Sequence, residues 1–487
     1  MMSSDRIFSR NSAYPAAESR DTERKYFHVI SQLSVHSTWE PIISDIILEA
    51  APGDSTTRLQ AAIDRGSAAG RRLILAAGIH ETAGLRLPSG TDLHLAKGAI
   101  LRPFGDYGAY AATRCDVIAE SSDRAMLVAK HGQGIRLTGE GIIEAPGAAF
   151  IAGDLFELGT HLPAAHRPRV FAFDRCAGIE IGGISIVRSP MWTVHLIGCS
   201  DVTITGITID NDRRMPNTDG IVVDACNNVD IRACRIATAD DGIVLKTSRR
   251  MSGEPAGECR NIRVSRSIVE SRSCALKIGT ETWSNIENVA FFDCDVAASN
   301  RALGIFSRDG GTISNVAFRR IQVDCHETPD GFWGAGEAIT VNVVDRRRGH
   351  PAGPVRNVLF EDITGAMEGA VNLIADGRAG ISGMRLRRIR LSQRPGALGT
   401  GQAYDLRPTR FDLAPPPATA GRANAFVMDD GGSVIGLVAY PGGLPGLFAS
   451  NVENLACNDI RIERPLPLPA GWNARERVIV EGEPQRW

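Results

Sequence analysis

The stretch Asn217-Thr218-Asp219-Gly220-Ile221-Val222-Val223 is answered by Ala239-Asp240-Asp241-Gly242-Ile243-Val244-Leu245, the same Asp-Gly-Ile-Val phrase 22 residues later. A repeat of this length, with apolar residues alternating after the glycine, is how one coil of a parallel β-helix reads in sequence. Stacked rungs lie about 4.8 Å apart, so Asp219, Asp240 and Asp241 fall on adjacent rungs. Asp-Gly and Asn-Thr-Asp are also ordinary turn chemistry, and the rest of the chain decides between the two readings.

Working outward, further coils share the phase. Asp201-Val-Thr-Ile-Thr, Asn228-Val-Asp-Ile-Arg, Asn261-Ile-Arg-Val-Ser, Asn288-Val-Ala-Phe-Phe and Asn315-Val-Ala-Phe-Arg each place a turn residue before short alternating strands. Earlier and later copies begin at Gly178, Asn357, Gly383 and Asn454. Heads from 178 to 315 are separated by 23, 27, 33, 27 and 27 residues, so insertions belong in the turns. The apolar period is two throughout, which excludes a helical reading. Cys176, Cys199, Cys226 and Cys259 each stand two residues before a coil head. With no Cys-x-x-Cys pair in the chain, this ladder reads as stacked small hydrophobes rather than a metal site or disulfides.

The expected fold is all-β, a right-handed parallel β-helix with an N-terminal capping helix. A solenoid grows by adding rungs, so 487 residues need no second core. Residues 1–45 read as an N-terminal arm, 46–463 as the β-helical domain and 464–487 as a C-terminal tail. Ser55-Thr-Thr-Arg-Leu-Gln-Ala-Ala-Ile-Asp64 carries an N-cap signal and would plug the open end of the solenoid. Pro and Gly clusters break the rhythm between residues 392 and 447, among them Ala414-Pro-Pro-Pro-Ala418. This excursion would wall one end of a cleft, which favours attack on chain ends, or make a subunit contact in a homo-oligomer. A formal net charge of -2 points to neither nucleic acid nor membrane. The start lacks the blocks of a secretory signal and no run reaches transmembrane length; a cytoplasmic location is expected, or a secreted one if the start is misassigned.

Four segments in this order, Arg167-Pro-Arg-Val, Ser189-Pro-Met-Trp-Thr-Val-His195, Asn217-Thr-Asp-Gly220 and Asp240-Asp-Gly-Ile-Val-Leu-Lys246, resemble glycoside hydrolase family 28, the polygalacturonase and rhamnogalacturonase group. The resemblance implies hydrolysis of O-glycosidic bonds in a carbohydrate substrate with inversion and no metal or organic cofactor. It also implies that Asp240 is the general acid and that Asp219 and Asp241 hold the attacking water. The stacking supports this independently, since carboxylates on adjacent rungs can surround one glycosidic oxygen as acid and water-activating base.

Two departures bear on the substrate. The family's Gly-His-Gly is replaced, in phase with Asp240-Asp241-Gly242, by Ser273-Cys274-Ala275, and its Arg-Ile-Lys, which grips a uronate carboxylate, by Gly304-Ile305-Phe306. By phase, Asn217, Lys246, Lys277, Glu281, Trp283, Arg308, Asp309 and His195 are the candidates for substrate contacts, each with a solvated or structural role as the competing reading. Other activities open on such a solenoid are a polysaccharide lyase, in which the aspartates would bind Ca²⁺, a glycan transferase or epimerase, and a non-catalytic glycan-binding surface.

Overall fold

A computed structural model describes residues 44–481, apart from 157–158, 330–331, 413–427, 430 and 432–433. The expected arm, save Ser44 and Asp45, and the Ala414–Ala418 proline run lie outside the described residues. Those described belong to one compact unit, Ser44–Trp487. It is a right-handed parallel β-helix.

One sheet carries the site, and its register follows the alternation in the sequence. Leu127, Phe171, Val194, Ile221, Ile243, Leu276, Leu303, Ile339, Val371 and Leu447 are successive Cα partners and all are buried. Like side chains stack on like because the register shift between rungs is a whole coil. Phe318 shows this, its ring 4.7 Å from Phe291 and 4.9 Å from Phe360, at interplanar angles of 6° and 5°.

The coil heads turn by adopting left-handed backbone. Asp201, Asn228, Asn261, Asn288, Asn315 and Asn357 have φ between 54° and 57°. That region costs an ordinary L-residue roughly 1–2 kcal/mol, and Asn is among the few that tolerate it. The amides then hydrogen-bond up the stack, with Asn288 donating to Asn261 at 3.4 Å and Asn315 donating to Asn288 at 3.3 Å. All ten cysteines are free thiols, and nine are buried.

The helix α1, Thr56–Ala69, buries Leu59, Ala62 and Ile63 against the first coil and ends at Gly70 with φ 62°. Its first turn is capped by Asp54, whose carboxylate accepts from the Thr56 amide at 2.8 Å. Ser55 makes no side-chain cap. At the other end, Arg477–Val480 pairs in parallel with Leu447–Ser450, so the coil runs beyond Glu463, where the alternation had set its limit. The described part of the excursion contributes an antiparallel pair, Ala403–Asp405 with Leu437–Ala439. No helix among the described residues is long and apolar enough to cross a membrane.

Candidate active site

Asp219 and Asp241 stand at the same position on neighbouring rungs, immediately before the strands Ile221–Asp224 and Ile243–Thr247. The rungs approach closely here because each aspartate is followed by glycine. The Gly220 amide donates to the Asp241 carbonyl at 2.9 Å, and the Gly242 amide to that of Cys274 at 2.9 Å. A Cβ on Gly220 would lie 2.5 Å from the Gly242 carbonyl oxygen, and one on Gly242 would lie 2.6 Å from that of Ala275. These glycines are required by proximity, not by a left-handed turn.

One carboxylate oxygen from each of Asp219, Asp240 and Asp241 lies within 4.8 Å of the others, and all three residues are buried. Two lysines supply counter-charge. Lys277 Nζ donates to Asp241 Oδ2 at 2.6 Å, while Ser273 Oγ donates to Asp241 Oδ1 at 3.1 Å. Lys246 Nζ sits 3.5 Å from Asp219 Oδ2 and 3.2 Å from Glu281 Oε2, with the Trp192 ring centroid at 4.1 Å. The Asp240 backbone is anchored by Ser271, whose hydroxyl donates to its carbonyl at 2.7 Å.

Burial pushes the Asp219 carboxyl well above the usual range; Lys246 opposes this, while Asp240 and Asp241 add to it. Burial works against the Lys246 ammonium, but Glu281, Asp219 and Asp241 outweigh it and raise its pKa. For Lys277, Asp241 likewise overcomes burial. Glu281 is the reverse case: burial would raise it, and Lys246 and Arg346 pull it below the ordinary carboxylate range. The site is a packed array of alternating charges.

The structure therefore brings Asp219, Asp240, Asp241, Lys246, Lys277 and Glu281 together. It places other sequence candidates elsewhere. Arg308 is fully buried and donates to the carbonyls of Pro408, Ser307 and Leu406 at 3.0, 3.0 and 3.2 Å, pinning the excursion; burial lowers its pKa to about 9. Asp309 is also buried, holding Arg346 and Arg347 and accepting from the Thr282 amide. His195 is enclosed between Arg169 and Asp224, 3.0 and 3.3 Å from its two ring nitrogens. A guanidinium only donates, so Nδ1 accepts and Nε2–H faces Asp224. Burial pushes this imidazole down to about 4 and keeps it neutral. Trp283 stacks on His350 at 4.6 Å with Arg249 and Arg347 beside it. Asn217 is held by Arg167, which donates to its Oδ1 at 2.8 Å. It supports the turn that delivers Asp219.

Sequence reasoning missed Ser273 and Arg346. Ser273 stands on the rung after Asp240, where only the loss of Gly-His-Gly was noted. Arg346, 3.6 Å from Glu281, lies in the turn that follows the strand Ile339–Val344. Its signal in the sequence is the run Arg346-Arg347-Arg348 after that strand. Phe306 replaces a clamp residue with a ring, 5.4 Å from Lys277 Nζ.

A parallel β-helix bearing a buried carboxylate trio on one sheet defines the class of protein. The chain belongs to glycosyl hydrolases family 28, whose model matches residues 109–397. It is similar to a probable polygalacturonase of Arabidopsis thaliana, 28% identical over 254 residues, covering 50% of this chain and 53% of that one. It also resembles a probable polygalacturonase of Vitis vinifera, 32% identical over 146 residues, covering 30% and 29%. The chain thus spans about half or less of these curated relatives. Among solved structures, the polygalacturonase of Erwinia carotovora ssp. carotovora matches with a TM-score of 0.58 at 20% identity, over 72% of this chain and 93% of that one.

Proposed function

We propose that this chain hydrolyses an O-glycosidic bond of a pectin-like poly- or oligosaccharide, with inversion, through Asp219, Asp240 and Asp241. The observation that carries the reading is the buried trio itself, three carboxylates with oxygens within 4.8 Å and two lysines against them. Asp240 is the least buried of the three, 9% exposed against 2% for each of the others. In the assignment by resemblance it donates its proton to the leaving oxygen as the glycosidic C–O bond breaks. Asp219 and Asp241 hold a water whose oxygen bonds to the anomeric carbon and whose proton passes to one of them. In this scheme the water is held beside Asp219 and Asp241, and inversion follows from the family assignment.

One observation favours a second division of labour. Asp219 is the carboxyl that burial drives toward its protonated form, so it is an alternative proton donor, with Asp240 and Asp241 then acting on the water. Both divisions use the same three groups.

The charges also bear on the substrate. Lys246, Lys277 and Arg346 are each already matched to Asp219, Asp241, Glu281 or Asp309, and Gly304-Ile305-Phe306 offers no cation. A uronate entering here would have to compete for a paired cation, and a charge buried without a partner is costly. This supports a pectic glycan other than homogalacturonan.

The test is incubation with a panel of homogalacturonan, rhamnogalacturonan and neutral pectic oligosaccharides, followed by mass spectrometry and by NMR of the first anomer released. The expected outcome is hydrolysis of one class with inversion, homogalacturonan turned over far more slowly, and loss of activity in Asp241→Asn. Unsaturated products would replace the hydrolase with a lyase, and no turnover of any member would remove the enzymatic reading.

A further inference from the structure

A β-helix that cleaves within long chains needs a groove open across several rungs, because a polymer lying along the sheet must enter on one side and leave on the other. Here the outward-facing residues of the catalytic sheet can be followed rung by rung, one position after each inward residue. Before the trio and beside it they are Val128, Ala172, His195, Val222 and Val244, and every one is at most 5% exposed. Beyond it they are Gly304, Thr340, Asn372 and Phe448, all buried. Lys277, between the two sets, is the single member of the row that reaches the surface, with 13% of its side chain exposed.

The cover on each side comes from a different part of the chain. Upstream, Met191, Trp192 and Ala119 pack on Val222 and Val244, and Cys115 packs among Ala125, Val128 and Ala172. Downstream, Leu406, Tyr440 and Leu444 pack on Val344, Ile374 and Phe448. Tyr440 donates to Asn372 at 2.9 Å, and Arg301 ties Asp405 to the sheet at 2.6 Å. To the flank, the hairpin formed by Ile151–Leu155 and Thr160–Pro163 is fastened by Arg272, which donates to the Gly159 carbonyl at 2.9 Å.

We infer that the trio lies at the bottom of a pit that opens at the Lys277 rung, and that this protein removes units from chain ends instead of cutting within chains. The inference rests on the glycosidase reading and sharpens it. Rungs about 4.8 Å apart that are roofed on both sides leave no path for a continuing polymer, so the enclosed subsite ends the substrate.

The experiment uses full-length protein and the pectic oligosaccharides of the panel, labelled at the reducing end, in two forms: with free ends, and with the other end capped as an unsaturated unit. At early conversion the free-ended oligomers should yield one terminal fragment and the correspondingly shortened chain, with no fragments of intermediate length. If the label stays on the shortened chain, the capped oligomers should resist. If the label leaves with the terminal fragment, the pit takes the reducing end, and capping should not matter. Intermediate fragments at early conversion, from either form, would overturn the inference while leaving a glycosidase. Absence of cleavage from every oligomer would overturn the glycosidase reading and this inference with it.

Discussion

At the scale of single residues, three carboxyl groups share one buried volume, and the roles among them can be separated by leaving-group chemistry. General acid catalysis is typically worth 10²–10⁴-fold, so Asp219→Asn, Asp240→Asn and Asp241→Asn should each lose about that much on a natural glycoside. A substrate with an activated aryl leaving group needs little protonation and should rescue only the variant that lacks the acid. Rescue of Asp240→Asn supports the first division of roles and rescue of Asp219→Asn the second; rescue of none means that the acid is not among them, and equal rescue of all three means that acid and base roles are not divided among them in either way. Stability gives an independent reading of Asp219. A carboxyl whose pKa is raised by folding favours the native state at low pH and loses that contribution as pH rises toward its folded value. Asp219→Asn should therefore match wild type below about pH 3.9, the ordinary aspartate value, and become the more stable protein as pH rises, by roughly 0.5–2 kcal/mol, the usual size of such gains. Urea unfolding at several pH values measures this, and a variant less stable than wild type at neutral pH would mean that Lys246 depends on Asp219 more than burial opposes it. The acidic part of this site was legible because Asp219 and Asp241 head identical phrases one coil apart. Their lysine partners were legible only by phase. His195 reads from sequence either as a structural histidine or as a sugar contact, because its neighbours Arg169 and Asp224 lie 26 and 29 residues away and nothing in the local text shows that they enclose it.

At the scale of elements, the turn that heads each coil does the positioning. Asn288 holds φ at 57° and sits in the middle of an amide ladder, accepting from Asn315 and donating to Asn261. Asn288→Gly keeps the backbone and loses the ladder, Asn288→Ala adds left-handed strain of about 1–2 kcal/mol, and Asn288→Val adds β-branching at a positive φ. Stability measured by chemical denaturation should fall in the order Gly, Ala, Val, and a series in which Val equals Gly would show that the ladder, not the backbone, carries the turn. These heads were readable from sequence because the constraint is local: one residue, one φ, and strands of period two. Helix α1 was readable for the same reason, from its apolar spacing, although its cap moved by one residue, since Asp54 reaches the Thr56 amide and the Ser55 hydroxyl does not. The excursion was visible only as a break in rhythm. What it does depends on contacts such as Arg301 with Asp405, 104 residues apart, which no local pattern encodes.

At the scale of the whole molecule, a solenoid is quasi-one-dimensional, and each rung answers chiefly to its neighbours. The roof over the downstream rungs is different, a segment returning from far along the chain and fastened by buried charge. Asp405 is the fastening point. It takes Arg301 at 2.6 Å, Arg407 at 2.8 Å and the Gly334 amide at 2.7 Å; burial alone would raise its pKa, and the two guanidiniums reverse this and hold it below the ordinary range. Removing one partner of a buried ion pair costs about 3–5 kcal/mol because the other charge is left behind. In Asp405→Ala Arg301 is left with Glu337 at 3.5 Å and Arg407 loses its carboxylate while keeping the Phe332 carbonyl, and the cheapest response is local release of the roof, since the rungs beneath keep their own hydrogen bonds. Hydrogen exchange should then quicken across Ala403–Asp405 and Leu437–Ala439 while Ile221–Asp224 and Ile243–Thr247 keep wild-type protection. If the pit is what confines attack to chain ends, the same variant should begin to yield internal fragments from long oligomers as the downstream rungs are uncovered. Quickened exchange over the catalytic rungs would show that roof and solenoid unfold as one unit. Faster exchange confined to the roof with an unchanged product pattern would place the barrier to longer chains upstream, at Trp192 and Met191.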